Sequence, residues 1–331
     1  MDSRLRFGII GLGYFGRHYV RLLKNMPGAE LIAVSSRFFD DKKEILSDIP
    51  DSVLKSSRTE DIFNNPDVDA VIIATPADTH AGFIESAIAA GKHVLVEKPM
   101  TMSLKEAESL SVLVEGSRHV FMVGHQYLFN DHIRELKKNL SANNFGEIKY
   151  FFSEHLYPGP IRAGIGCFWE SASHEIAILD YLFDAPEIME ISVGAAGFSG
   201  KTDDFVNARI KYANGMLASI IISWFAPEKV RRIILTGASG SASFDDCKAA
   251  DKLIFNFQKY PHDFSDGNAA YFFDKNKSRK EISTLTPGEP LRNQLTHFIE
   301  CIKSGSRPLT DFRHGMRVIK AMDGVQSKIS L

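Results

Sequence analysis

"IIGLGYFG", residues 9–16, is the stretch on which the reading of the fold turns. Two isoleucines close a short apolar run, and Gly11, Gly13 and Gly16 follow at the spacing G-x-G-x-x-G. Glycines also mark ordinary turns. Here, however, they leave a strand pattern and open a helical one, the context in which this spacing carries chemistry. Gly11 permits the tight turn, Gly13 lets the main chain approach a pyrophosphate, and Gly16 lets helix and strand pack closely. The first helical residues, Tyr14 and Phe15, then turn free N–H groups toward the phosphates. The motif points to a dinucleotide.

Outward from this motif the chain keeps one rhythm as far as residue 124. Arg6 to Ile10, Leu31 to Val34, Ala70 to Ala74, His93 to Val96 and Val120 to Val123 are short runs rich in β-branched residues. Helical patterns lie between them, at Tyr14 to Met26, Ala81 to Ala90 and Leu104 to Glu115. That alternation predicts an α/β Rossmann domain over residues 1–124, a doubly wound parallel sheet covered on both faces. After Gly124 the texture changes. A helix is expected over Asp131 to Leu140, a strand at "IKYFFSEH" and one helix from Ser171 to Phe183. Strand patterns then succeed one another from about residue 188 to 258. "FVNARIKY" alternates, "ANG" turns, and "MLASIIISWF" returns, the pattern of a hairpin. Residues 125–331 are thus expected to form an α+β domain on a large open, mostly antiparallel sheet, closed by C-terminal helices from Leu291. Residues 259–289 follow no recognisable pattern.

Composition limits the function. The 331 residues carry a formal net charge of −2, with lysines and arginines scattered. Neither a nucleic-acid partner nor an anionic membrane is implied. Three widely spaced cysteines without C-x-x-C spacing suggest neither a disulfide framework nor a metal site. No apolar run is long enough to span a bilayer, and the N-terminal stretch does not read as a secretion signal. A cytoplasmic protein is expected.

Several residues then gather at the carboxyl edge of the first sheet. The second strand should end in an acid that binds a ribose, yet "AVSSR" places Ser36 and Arg37 there. A carboxylate would repel a 2′-phosphate, whereas serine and arginine bind one, so NADP(H) is expected over NAD(H). Arg37 also fits as a solvated loop residue. In "IIATPADTH", Thr75 and Pro76 end the fourth strand at the ligand edge, and His80 fits there too, or as a cap on the next helix. "HVLVEKPMT", residues 93–101, carries a buried strand up to Glu97 and Lys98, then a proline. A residue before proline is held extended, so Lys98 is presented rather than left to swing. In the second domain, Glu170 and His174 stand four apart on the expected helix. A carboxylate there would fix the tautomer of a general-base imidazole. Arg162, in the segment before, suits a substrate carboxylate or phosphate.

These pieces together resemble the Gfo/Idh/MocA family, the glucose–fructose oxidoreductases, inositol dehydrogenases and their relatives. The resemblance runs from "GLGYFG" through "ATPADTH" and "HVLVEKPM" to "SASHEIAILDYL" and "HFIECIKSGSRPLTD". It implies that Lys98 touches both nicotinamide and substrate and that His174 is the acid/base. It further implies assembly through the second sheet, as a homodimer or homotetramer. Two departures stand out. Many members have aspartate where Glu170 stands, and many have paired arginines where this chain has Tyr127 and Leu128. "GHQYLFN" and "LYPGPIRAGIGCFWE" are most similar to members acting on nucleotide-linked or amino sugars.

The expectation is therefore an NAD(P)-dependent dehydrogenase or reductase of a secondary alcohol or ketone in a sugar or sugar nucleotide. Lys98, Tyr127, Arg162, Glu170 and His174 would meet that substrate. A cyclitol or free-sugar dehydrogenase, or a ketosugar reductase, would use the same machinery. A non-catalytic dinucleotide sensor would have no use for Lys98 and His174.

Overall fold

The computed structural model of the chain describes residues 4–37, 46–159, 164–198, 200–258 and 279–331. They fall into two compact units, residues 1–126 with 289–320, and residues 127–288 with 321–331.

In the first unit, β1 (Leu5–Ile10), β2 (Ala29–Ser35), β3 (Leu54–Ser56), β4 (Ala70–Ile73), β5 (His93–Glu97) and β6 (Phe121–Gly124) form one sheet. All neighbours are parallel and the order is β3-β2-β1-β4-β5-β6. The strands read as continuous apolar runs because both faces are covered, and β4 and β6 are buried at every position. Residues Leu54–Ser56 carry no apolar run, and pairing with β2 alone makes them a strand. Crossovers carry α1 (Tyr14–Leu23), α2 (Glu60–Phe63), α3 (His80–Ala89) and α4 (Leu104–Glu115). The start of α4 is set by a capping box: the Glu106 N–H donates to Ser103 Oγ at 3.2 Å, and Glu106 Oε2 accepts from the Met102 N–H at 2.8 Å.

The second unit opens with the turn Gln126–Phe129 and α5 (Asp131–Ser141), capped by the Asn130 side chain. Its sheet holds β7 (Ile148–Pro158), β8 (Ile188–Ala196), β9 (Phe205–Tyr212), β10 (Leu217–Ser223), β11 (Phe225–Gly237), β12 (Gly240–Asp245), β13 (Leu253–Phe257) and β14 (Arg279–Ile282). The order is β14-β13-β12-β11-β7-β10-β9-β8, and only the β7–β10 pair is parallel. The β9–β10 hairpin turns where expected: Gly215 sits at φ +85°, and Val206, Ala208, Ile210 and Tyr212 are buried on one face. The helix expected over 171–183 is instead two segments, α6 (Cys167–Ser171) and α7 (Ser173–Leu182), which meet at Ala172. Asp203 holds the start of α6 by accepting the Phe168 N–H at 2.8 Å, while its carbonyl accepts the Cys167 N–H.

Two helices close the chain, α8 (Pro290–Ser304) and α9 (Phe312–Gln326). Pro290 stands in the first turn of α8 and Gly305 ends it in the left-handed region, both for the usual backbone reasons. Residues 289–320 belong with the first unit: Phe298 packs on Phe7, and Thr310 donates to the Val123 carbonyl. Among the described residues no helix is long and apolar enough to cross a membrane.

Candidate active site

The strand order puts β1 between β2 and β4, so the loop after β1 sits at the topological switch point, where open α/β sheets bind ligands. The glycines of this loop differ in what they require. Gly11 has φ +95°, and a Cβ there would lie 2.5 Å from the Ala74 carbonyl oxygen. A Cβ on Gly16 would lie 2.0 Å from the Gly11 carbonyl oxygen. A Cβ on Gly13 meets no atom of the described residues within 4 Å. Gly11 and Gly16 are thus required by the packing of the turn itself, whereas at Gly13 the described residues leave the main chain open to approach. Gly13 also begins α1 without a side-chain cap, so the N–H groups of the first turn have no carboxylate of their own. This cradle fits a dinucleotide pyrophosphate. Tyr14 is exposed and Phe15 half-buried beside it.

At the end of β2, Ser36 is half-buried and Arg37 exposed. Thr75 and Pro76 follow β4, and the Thr79 hydroxyl donates to Thr75 Oγ1 at 2.7 Å. His80 is buried and does not act as a side-chain cap. Its Nδ1 lies 2.8 Å from the Pro99 carbonyl and its Nε2 3.0 Å from that of Thr75. Burial pushes its pKa down, against the two carbonyls. A neutral imidazole has one N–H, so His80 donates to one of these carbonyls and rests its other nitrogen beside the second, between the loop after β4 and the loop after β5.

Glu97 also turns inward. It accepts the Tyr19 hydroxyl at 2.6 Å and the Lys98 N–H at 3.3 Å. Tyr19 in turn accepts from Gln294 of α8 at 2.8 Å. Burial pushes the Glu97 pKa up to about 7, although Tyr19 and Lys98 oppose the rise. Glu97 thus links the Lys98 backbone to Tyr19 of α1. Lys98 itself is half-buried at the carboxyl end of β5, and its bond to Pro99 is cis. Tyr19 and Gln294 were not foreseen, since each joins Glu97 only through the folded chain.

In the second unit His174 is buried, 5% exposed, in the first turn of α7. Its ring meets the Tyr127 ring edge-on, with centroids 5.0 Å apart, and lies 6.4 Å from the His155 ring. Glu170 belongs to α6. Its Oε2 accepts from the Ser171 hydroxyl at 2.7 Å and from the Tyr157 hydroxyl at 3.1 Å, and Trp224 donates to Tyr157 at 2.7 Å. Burial and then Glu170 push the Tyr157 pKa up to about 12. Tyr127 is buried, with its hydroxyl held by Asp246 at 2.8 Å and by Arg231. Arg162 lies outside the described residues. Sequence reasoning missed His155, Tyr157, Glu175, Trp224, Arg231 and Asp246. One signal was available: Phe151, Ser153 and His155 alternate as buried positions along β7, and two polar residues in a buried row need partners.

Comparison with known proteins adds the following. A family model described as "Oxidoreductase family, NAD-binding Rossmann fold" matches residues 5–125, and the GFO/IDH/MocA C-terminal domain matches residues 133–243. A scyllo-inositol 2-dehydrogenase (NAD(+)) of Bacillus subtilis is 29% identical over 58% of this chain and 57% of its own length. A UDP-N-acetylglucosamine 3-dehydrogenase of Acidithiobacillus ferrooxidans is 28% identical over 73% of this chain and 74% of its own. The crystal structure of a 3-ketoreductase from Actinomadura kijaniata, in complex with TDP-benzene and NADP, superposes with a TM-score of 0.82. At 20% identity, covering 99% of this chain and 98% of that one, it establishes likeness of fold.

Proposed function

The chain belongs to the Gfo/Idh/MocA family of NAD-binding oxidoreductases, and from that premise we propose that it oxidises a secondary alcohol of a sugar or sugar nucleotide, or reduces the matching ketone. The observation that carries this reading is Lys98. A lysine at the carboxyl end of a parallel strand, on a backbone held by Glu97, supports the role of a donor over that of a solvated strand end. The glycine cradle of the same unit takes the dinucleotide. When bound, the nicotinamide accepts or returns the hydride.

The chain's own residues supply position and charge. In the oxidation direction His174 removes the hydroxyl proton, and Lys98 donates a hydrogen bond to the reacting oxygen as charge develops on it. Glu170, whose carboxylate is held by Tyr157 and Ser171, contributes negative charge near the start of α7. Ser36 and Arg37 favour NADP(H), because the second strand ends without the acid that would repel a 2′-phosphate.

A cyclitol substrate is the second reading, supported by likeness to an inositol dehydrogenase. One screen separates the two: UDP-N-acetylglucosamine, free hexoses and scyllo-inositol, each with NADP+ and NAD+, followed by nicotinamide absorbance. Turnover of a sugar nucleotide supports the main reading, and turnover of the cyclitol alone replaces it. Dinucleotide binding without turnover of any candidate favours a sensor. Fluorescence titration with NADPH and NADH decides cofactor choice, and tighter NADH binding would overturn the preference stated here.

A further inference from the structure

β7 and β11 run antiparallel with His155 opposite Arg231. Five polar side chains from separate elements join there into one chain, buried at Glu175, His155 and Tyr127 and half-buried at Arg231 and Asp246. His155 Nδ1 lies 3.0 Å from Glu175 Oε1, the two side chains being 5% and 3% exposed. His155 Nε2 faces Arg231 Nη2. A guanidinium only donates, so Nε2 must accept and the His155 proton sits on Nδ1, toward the carboxylate. Arg231 Nη1 donates to the Tyr127 hydroxyl, which donates onward to Asp246 Oδ2 at 2.8 Å. Asp246 is fixed in its turn by Lys252 Nζ at 3.4 Å, and by its own N–H donating to the Arg231 carbonyl.

Such a chain is an expensive way to fill a core. Buried ionic groups are often replaced by apolar ones without loss of stability, so their presence asks for another reason. The reason lies at one end of each ring. Tyr127, anchored through its hydroxyl, sets its edge against the His174 imidazole at 5.0 Å and 71°. His155, anchored at both nitrogens, lies 6.4 Å from that imidazole at 35°. Glu175 is the residue after His174 on α7, so the pull of His155 on Glu175 also fixes the rotation of the turn that carries His174.

We infer that Glu175, His155, Arg231, Tyr127 and Asp246 are positioning residues that hold the His174 imidazole in one orientation. The inference rests on the reading of His174 as the acid/base. Among the groups around His174 and its two neighbouring rings are Glu175 from α7, His155 and Tyr157 from β7, Glu170 from α6 on Tyr157, Arg231 from β11, Tyr127 from the turn after β6, and Asp246 with Lys252 from the β12–β13 connection.

The test uses the full-length chain labelled with ¹⁵N at histidine and needs no substrate. His174→Ala assigns the His174 signals by their disappearance. In the wild type, His174 gives one sharp set of ring signals. Tyr127→Phe keeps the ring and loses the anchor, so the His174 signals broaden or double. Glu175→Gln removes an anion near the imidazoles, so the His174 midpoint falls by about 0.5–1 pH unit. Asp246→Asn, at a partly exposed carboxylate, tests the same chain should either buried variant fail to fold, and it too should broaden or double them. His174 signals and midpoints that superpose on the wild type in the folded variants overturn the inference. A different result defeats the underlying reading: His174→Ala turning over an identified substrate at the wild-type rate.

Discussion

Two readings of Lys98, half-buried at the end of β5, separate cleanly in one substitution. A lysine that merely ends a strand tolerates methionine in every respect. One that donates to a reacting oxygen tolerates it only in stability, because methionine fills similar volume and leaves no buried unpaired charge. Lys98→Met should therefore melt within a few degrees of the wild type, bind dinucleotide nearly as well, and turn over ~10²-fold more slowly. Steady-state rates on the substrate found by the screen, with a melting curve alongside, check this. Near-normal turnover would return Lys98 to the role of a solvated strand end. At this scale the lysine was legible because its signal is local: an apolar strand, a charge and a proline in succession. Glu97 and His80 were not legible in the same way. Each sits in a motif that points to the cofactor, while the contacts each makes within the protein, Glu97 with Tyr19 and the Lys98 N–H and His80 beside the Pro99 and Thr75 carbonyls, arise only in the folded chain.

At the scale of elements, the strand–turn–helix from β1 to α1 separates packing from binding. Gly16→Ala drives a Cβ to 2.0 Å from the Gly11 carbonyl, so the turn must shift and both melting temperature and dinucleotide affinity should fall. Gly13→Ala meets no atom of the described residues within 4 Å and has φ −75°, which alanine adopts freely. Its melting temperature should be unchanged while NADPH affinity falls by ~10-fold or more, the new methyl standing where the pyrophosphate approaches the main chain. Paired melting and fluorescence titration of both variants check this; unaltered affinity in Gly13→Ala would remove the phosphates from that position. The junction of β5 with α1 and α8 makes a second prediction, in pH. With its pKa pushed up to about 7, Glu97 in the folded chain keeps a proton that the unfolded chain loses near 4.5. Its contribution to stability is therefore full below about 4.5 and lost as pH rises through 7, up to about 3 kcal/mol. Glu97→Gln should abolish that slope, so wild type should lose ground to the variant between pH 5 and 8 in melting experiments on the unliganded protein. Parallel curves would show that Glu97 titrates as an ordinary carboxylate.

Over the whole molecule, chain order and compact units do not coincide. Residues 289–320 complete the first unit through Phe298 on Phe7, Gln294 on Tyr19 and Thr310 on the Val123 carbonyl. A fragment of residues 1–126 should then be poorly folded alone, and linking residues 289–320 to it should restore a cooperative melt and NADPH binding. A cooperative melt of residues 1–126 without that segment would contradict this. The strand–helix alternation, the glycine turn and the β9–β10 hairpin were determined by the sequence alone, because each depends on periods and spacings of a few residues. The short strand at Leu54–Ser56 was not, since pairing and not composition makes it. Nor was the break at Ala172, which the helical pattern runs straight through. The partners of Glu97 and the polar chain from Glu175 to Asp246 were decided by the tertiary structure. Tyr19 and Gln294 are 275 positions apart, and Tyr127 and Asp246 are 119 apart. Local periodicity says which residues face inward, but a buried polar atom must take whichever partner the packing of distant elements brings within hydrogen-bond reach.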